Sequence, residues 1–193
     1  MGFSLILLLG QKVSRLGFST HCEKVEAVVA MQRPTNVKEL QRILGMLVYF
    51  SLYIPFYSFI AKPLFELLQK GTKWNWEAHH EVAFQQAKEA LTVAPVLAHL
   101  EAGKPYCLYT DASDYALGAA LQQVQQIRVK DLQHTEVYEK LKKAHANGLP
   151  VPSLVTKLVK EIDERPLPPQ WGDSFKETEV YVERVIAYWS RTL

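Results

Sequence analysis

The sequence predicts an α+β protein with a small N-terminal strand and turn, then a run of helices, and then a second group of strands. Apolar residues recur at helical intervals up to about residue 95, and extended character begins at Lys104. The chain has 193 residues, 48% of them hydrophobic, with 22 Lys and Arg against 20 Asp and Glu. These values predict one or two small globular domains and exclude collagen, coiled-coil and disordered classes.

The first 20 residues predict a small strand and turn. Residues 5–9 are an apolar run expected to form a buried strand, residues 11–14 continue in extended form, and residues 16–20 supply a turn. The run lacks the basic start of a signal peptide and is far shorter than the roughly 20 residues that cross a bilayer. We therefore expect no membrane partner and an intracellular protein, cytoplasmic or nuclear and not secreted.

A helical subdomain is expected over residues 21–100. Asn36 and Glu39 have the spacing of a capping box, with an amphipathic pattern behind them. Pro63 is expected to open the regular part of a later helix, and Gly71 to be its C′ residue. The expected helices cover residues 21–31, 36–54, 57–70 and 77–92.

Beyond residue 100 the pattern predicts a β-hairpin, a long polar stretch and a further strand. The expected strands cover residues 106–111, 116–122 and 180–191, and the expected helices cover residues 135–146 and 153–164. Residues 112–115 form the turn of the hairpin. Residues 123–179 separate the second strand from the third.

Three groups of segments, in this order, resemble the polymerase polyprotein of gypsy-type long-terminal-repeat retrotransposons. They are LLLGQKVS at residues 7–14; EKVEA at 23–27 with PTNVKEL at 34–40 and IAKPL at 60–64; and YTDASD at 109–114 with LGA at 117–119 and VIAYWSRTL at 185–193. The resemblance implies the end of a reverse transcriptase palm, with its primer grip, at residues 1–20. A thumb or connection-like helical subdomain then covers 21–100. A truncated RNase H-like domain, with an incomplete mixed sheet and a helical insertion at about 123–179, covers 101–193.

The supply of carboxylates limits the chemistry expected of this chain. Polymerase and RNase H reactions both need several carboxylates around two Mg²⁺ or Mn²⁺ ions. The first aspartate in the sequence is Asp111, which by resemblance is the first catalytic carboxylate and metal ligand of the RNase H-like set. The alternative is a turn role, for which Asp114 is better placed. We expect Asp111 to hold Mg²⁺ weakly and the chain to be catalytically incomplete.

The resemblance to thumb and primer-grip elements implies that the chain still contacts nucleic acid, although its catalytic residues are incomplete. The expected partner is an RNA/DNA hybrid or a primer-template, held through its backbone. The candidates are Lys12, Arg15, Lys38 and Arg42, with Tyr49, Tyr53 and Tyr57 as neighbours of sugars or bases. The alternative is an ordinary solvated helix face with tyrosines in the core. We interpret Trp74 and Trp76 as a hydrophobic lid on the helical subdomain and not as a stacking platform for bases.

Three functions are consistent with the residues. The preferred one is a catalytically incomplete fragment of a retrotransposon polyprotein that retains non-specific nucleic-acid binding. The others are a functional RNase H-like nuclease, when the rest of the domain is present, and a reused protein-interaction scaffold. A sheet of three strands leaves backbone groups unpaired at its edge, so residues 104–193 are expected to be marginally stable or to self-associate.

Overall fold

The computed structural model describes residues 5–133, 135–156 and 170–193, and these residues form six strands and five α-helices. The strands are β1 (Leu5–Leu8), β2 (Gln11–Ser14), β3 (Gly17–Thr20), β4 (Cys107–Ala112), β5 (Ala116–Arg128) and β6 (Glu179–Thr192). The helices are α1 (Cys22–Val29), α2 (Val37–Tyr49), α3 (Tyr57–Glu66), α4 (Ala78–Thr92) and α5 (Glu136–Ala146). The predicted α+β class is confirmed.

The start of α2 follows from two side chains that bind backbone N–H groups. Asn36 is the N-cap, and its Oδ1 accepts a hydrogen bond from the Glu39 N–H at 3.0 Å. The Glu39 carboxylate accepts from the N–H of Thr35 at 2.7 Å and from its hydroxyl at 2.9 Å. Both hydrogen bonds lower the pKa of the Glu39 carboxyl, and the bond from the Thr35 backbone N–H has the larger effect. Half of the predicted capping box is therefore present, and the other half is shifted one residue upstream.

The predictions for α3 were wrong in three details. Pro63 lies inside the helix and does not open its regular part. The helix also ends at Glu66, because hydrogen bonds from Leu68 to Phe65 and from Gln69 to Glu66 tighten the chain into turns. Gly71 has a positive φ of 87° but lies in these turns and not at the C′ position.

The main hydrophobic core is built by α2, α3 and α4. Leu40, Leu47, Leu64 and Phe84 are at most 1% exposed. Trp74 and Trp76 are partly buried and pack against this core. The ring of Trp76 meets Phe84 edge to face, with centroids 6.1 Å apart. The interpretation of the two tryptophans as a hydrophobic lid is confirmed.

The N-terminal sheet has the order β1-β2-β3, with both pairings antiparallel. The prediction that β1 is buried was wrong, since its four side chains are 50–58% exposed. Among the described strands, β1 is an edge strand that pairs with β2 alone.

Residues 17–20 form strand β3, where the sequence predicted a turn. Phe18 and Leu97 exchange backbone hydrogen bonds of 2.7 and 2.8 Å. Gly17, with a φ of 137°, lies so close to this bridge that a Cβ would be 1.9 Å from the Leu97 carbonyl oxygen. The conformation here is therefore set by pairing between Phe18 and Leu97, 79 positions later in the chain, which the local composition does not reveal.

The chain forms two compact units, and the predicted domain boundaries remain a prediction. The first unit includes residues up to 99 with 108–121 and 185–193, and the second includes 100–107 and 122–184. The second sheet has the order β4-β5-β6. β5 extends to Arg128, so the predicted insertion begins as a strand.

Backbone hydrogen bonds show how the two long strands, β5 and β6, pair. In the first unit the Leu193 N–H donates to the Tyr115 carbonyl, and in the second the Val129 N–H donates to the Thr178 carbonyl. The end of β5 thus meets the start of β6, so the two strands are antiparallel. An isolated bridge between Leu154 and Val182 is parallel.

The predicted helix at 135–146 is confirmed as α5, with the Thr135 hydroxyl accepting a hydrogen bond from the Tyr138 N–H. Residues 153–156 are not helical, and the rest of the helix predicted at 153–164 lies outside the described residues. Within the described ranges, no helix has the length and apolar character needed to cross a membrane.

Candidate nucleic-acid interface and the cleft at Asp111

One side of α2 presents a row of exposed residues at helical spacing. Lys38, Arg42, Gly45 and Tyr49 are exposed, and successive members are three or four positions apart. We call these four residues the α2 face. A Cβ at Gly45 would meet no atom within 4 Å, so the middle of the face is open. The structure therefore brings the predicted Lys38 and Arg42 together on an accessible surface.

The α2 face reaches the turn between β1 and β2. The Tyr49 hydroxyl donates a hydrogen bond to the Leu9 carbonyl. A Cβ at Gly10 would lie 3.8 Å from the Cε of Lys24 and 3.9 Å from the Tyr49 hydroxyl. Lys24 thus adds a cation that the sequence reasoning missed, although it belongs to the EKVEA segment that carried the resemblance.

The other two predicted cations lie on the N-terminal sheet. Lys12 is on β2, where its Nζ is 2.7 Å from the Sγ of Cys22. Arg15 is exposed in the turn between β2 and β3. The four candidates therefore divide into a pair on α2 and a pair on the sheet.

Tyr53 and Tyr57 belong to the core and not to a nucleic-acid surface. They are 0% and 5% exposed, and their hydroxyls have no hydrogen-bond partner among the described residues. Burial raises the pKa of both phenols, since the charged form would lose its hydration. The prediction that they contact sugars or bases was wrong, while Tyr49 fits it.

Asp111 is exposed near the end of β4, and its Oδ1 accepts a hydrogen bond from the Ala112 N–H at 3.0 Å. The turn that follows is closed by Ser113, whose hydroxyl accepts from the N–H groups of Tyr115 and Ala116. Ser113 thus has the turn role that the sequence offered to Asp114. The carboxylate of Asp111 keeps accepting capacity for other groups.

A cleft of about 760 Å³ in the first unit is lined partly by Asp111. Its apolar lining includes Phe56, Phe59, Ile60, Ala90, Val93 and Leu117. Asp111 and Glu89 are its charged lining residues. Sequence reasoning found Asp111 but not Glu89 or the two phenylalanines, because the cleft joins segments that are far apart in the chain.

Among the residues that the structure describes, the donor set at Asp111 does not fit a pair of magnesium ions. Within the described ranges, no three His, Cys, Asp or Glu side chains are grouped so that they could hold a metal ion. Mg²⁺ releases its waters only for several well-placed oxygen ligands.

The sequence of residues 76–147 matches the family described as an RNase H-like domain found in reverse transcriptase. The matched stretch contains α4, the β4-β5 hairpin and all of α5.

The chain is also similar to particular transposon proteins. Over 120 residues it is 37% identical to the Transposon Tf2-3 polyprotein and to the Transposon Tf2-4 polyprotein, both of Schizosaccharomyces pombe. This match covers 62% of the chain and 9% of each polyprotein, so the chain matches a small part of its relatives. The chain is thus similar, over parts of its length, to an RNase H-like domain of reverse transcriptases and to a small region of transposon polyproteins.

Solved structures show the same fold at low identity. The foamy viral protease-reverse transcriptase in complex with dsDNA has a TM-score of 0.57 at 20% identity, covering 88% of this chain and 40% of that one. The same viral protein in complex with an RNA/DNA hybrid has a TM-score of 0.54 at 16% identity, covering 98% and 38%. The described fold is therefore that of reverse transcriptase and RNase H domains.

Proposed function

We propose that this chain is part of a gypsy-type long-terminal-repeat retrotransposon polyprotein and binds an RNA/DNA hybrid or a primer-template without sequence preference. The binding surface consists of the α2 face, with Lys24, Lys12 and Arg15 on the side of the N-terminal sheet. By itself the chain is catalytically incomplete and holds Mg²⁺ or Mn²⁺ weakly. It acts inside the cell, in the cytoplasm or nucleus. Support comes from the transposon relatives and from the viral structures of similar fold, which contain dsDNA or a hybrid.

The observation that carries this proposal is the exposed α2 face. Lys38 and Arg42 are one turn apart and supply two cations for phosphates, and Gly45 leaves room for a sugar-phosphate backbone to approach. Tyr49 is held against the Leu9 carbonyl, so its ring has a fixed place beside this opening. Glycine inside a helix costs roughly 0.5–1 kcal/mol of stability, which close approach of a ligand backbone would explain.

The test measures fluorescence anisotropy of a labelled 20-base-pair RNA/DNA hybrid at several salt concentrations. The double variant Lys38→Ala, Arg42→Ala should bind more weakly at low salt. Its plot of log affinity against log salt should be less steep by about 2, because each phosphate contact contributes a slope near 1.

A matched control removes two cations that belong to no candidate surface. Lys70 and Lys73 are exposed beyond the end of α3. Their double alanine variant should keep the slope of the unmodified chain. An equal loss of slope in both double variants would mean that net charge, and not the α2 face, drives binding.

A second candidate is an RNase H-like nuclease that works when the rest of the domain is present. The match of residues 76–147 to the RNase H-like family and the exposure of Asp111 favour it. Purified chain is incubated with a hybrid and Mg²⁺ or Mn²⁺, beside the Asp111→Asn variant. Cleavage that disappears in the variant would establish this function and refute catalytic incompleteness.

A further inference from the structure

We propose that the cleft at Asp111 binds a small amphipathic organic cation: a flat apolar ring system that carries a positive charge. The site uses no residue of the α2 face, so this inference goes beyond nucleic-acid binding and does not depend on it. The argument rests on the size, walls and charge of the cleft.

The size and the walls fit a ring-containing ligand. A volume of about 760 Å³ lies inside the range of roughly 300–1,000 Å³ that is typical of small-molecule sites. Phe56 and Phe59 line one side and are 50% and 60% exposed, so their rings are accessible to a ligand. Val93, 79% exposed, lies at the C-terminal end of α4. Such exposed apolar side chains around a concave surface favour a ligand that covers them.

The shape of this wall depends on the backbone conformation at Phe56 and on the absence of a side chain at Gly118. Phe56 has a positive φ of 53°, in the left-handed region that phenylalanine rarely adopts. Its ring lies directly over Gly118, where a Cβ would be 2.8 Å from the Cδ1 of Phe56. The absence of a side chain at residue 118 therefore lets the Phe56 ring lie against the hairpin.

The charge of the lining selects a cation. Asp111 and Glu89 are both carboxylates, and no Lys, Arg or His is among the residues that line this part of the described structure. No described cationic side chain forms an ion pair with either carboxylate. Aromatic faces also attract cations, so the two phenylalanines and the two carboxylates act in the same direction. An anionic ligand of equal size would be repelled.

An organic cation suits this site better than a metal ion does. Mg²⁺ keeps its waters unless several oxygens replace them, whereas an ammonium or iminium group on an apolar ring needs one or two carboxylates nearby. The apolar side chains of the cleft offer no ligands to a hydrated metal ion, whereas they would pack against the ring of an organic cation.

The test uses thioflavin T, a flat aromatic cation whose fluorescence rises when it is immobilised, and the aromatic anion anilinonaphthalene sulfonate. We expect the full chain to bind thioflavin T at a single saturable site and the anion much more weakly. Asp111→Asn and Glu89→Gln keep the shape of each side chain and should each weaken thioflavin T binding roughly threefold to tenfold, because one attractive charge is lost near the surface. Glu26→Gln, an exposed carboxylate on α1 outside the cleft, should change the affinity by less than about twofold.

A reversed-charge variant gives an independent readout. Val93→Lys places a cation at an exposed position of the lining and should weaken thioflavin T binding while strengthening binding of the anion. Unchanged hybrid binding by Glu89→Gln would separate this site from the α2 face. Equal affinity for both dyes, or thioflavin T binding that ignores all three substitutions in the cleft, would overturn the proposal.

Discussion

Replacing Gly17 by alanine should destabilise the first unit strongly. The new Cβ would lie 1.9 Å from the Leu97 carbonyl oxygen and 2.8 Å from its carbon, which are backbone atoms that cannot rotate away. To make room, β3 must separate from Leu97, and the two hydrogen bonds between Phe18 and Leu97 are lost.

The size of this effect follows from three contributions. Each backbone hydrogen bond contributes about 1 kcal/mol. A non-glycine residue in a sparsely populated backbone region costs about 1–3 kcal/mol. Leu97, now 1% exposed, would lose part of its burial. We expect the free energy of unfolding to fall by at least about 3 kcal/mol, a large fraction of the roughly 5–15 kcal/mol typical of a folded protein.

Urea unfolding monitored by tryptophan fluorescence and circular dichroism measures this loss. Gly45→Ala is the matched control, because its methyl group meets no atom within 4 Å and replaces a glycine inside a helix. It should raise the free energy of unfolding by roughly 0.5–1 kcal/mol. A loss below about 1 kcal/mol for Gly17→Ala would refute the claim that the bridge to Leu97 constrains residue 17.

Three further predictions concern other parts of the first unit. Tyr53→Phe and Tyr57→Phe each remove a buried hydroxyl without a partner among the described residues, so urea unfolding should show unchanged or higher stability; a loss above about 1 kcal/mol would reveal a hidden partner. His80 accepts a hydrogen bond from the Glu77 N–H, and its pKa in the folded chain is lowered, mainly by burial. Its stabilising effect is therefore complete above the ordinary histidine pKa of about 6.5. That effect disappears as the pH falls through the lowered pKa of the folded state. Urea midpoints from pH 7.5 to 5 should therefore fall more for the unmodified chain than for His80→Gln, and parallel profiles would argue against this role. The exposed strand β1 offers a second edge for self-association, besides the sheet expected in residues 104–193, and Leu7→Lys puts a charge on it. Concentration-dependent light scattering should therefore fall, and unchanged scattering would refute association through β1.

Features set by neighbours in sequence were predictable. Asn36 caps α2 because its side chain reaches the N–H of Glu39 only three residues away. Thr135 and α5 follow the same logic. Lys38 and Arg42 could be paired from helical spacing alone, since residues four apart share one face.

Features set by distant segments were not predictable from one sequence. An apolar run such as β1 is expected to be buried, but burial depends on which elements cover it. In the described part of the chain, β1 pairs with β2 alone. Glu89 reads as an ordinary polar residue of α4, and only the tertiary structure places it in one cleft with Asp111. The positive φ of Phe56 has no local signal, because phenylalanine does not favour that region.

The bridge between Phe18 and Leu97 also bears on how this part of the chain could be moved or reused. It joins by backbone hydrogen bonds the two ends of a segment that contains all of α1 to α4. A segment whose entry and exit points are adjacent can be grafted into a surface loop of another protein without stretching either connection. Residues 18–97 can therefore be exchanged as one structural unit, and recombination events that move them together would keep their hydrophobic core intact.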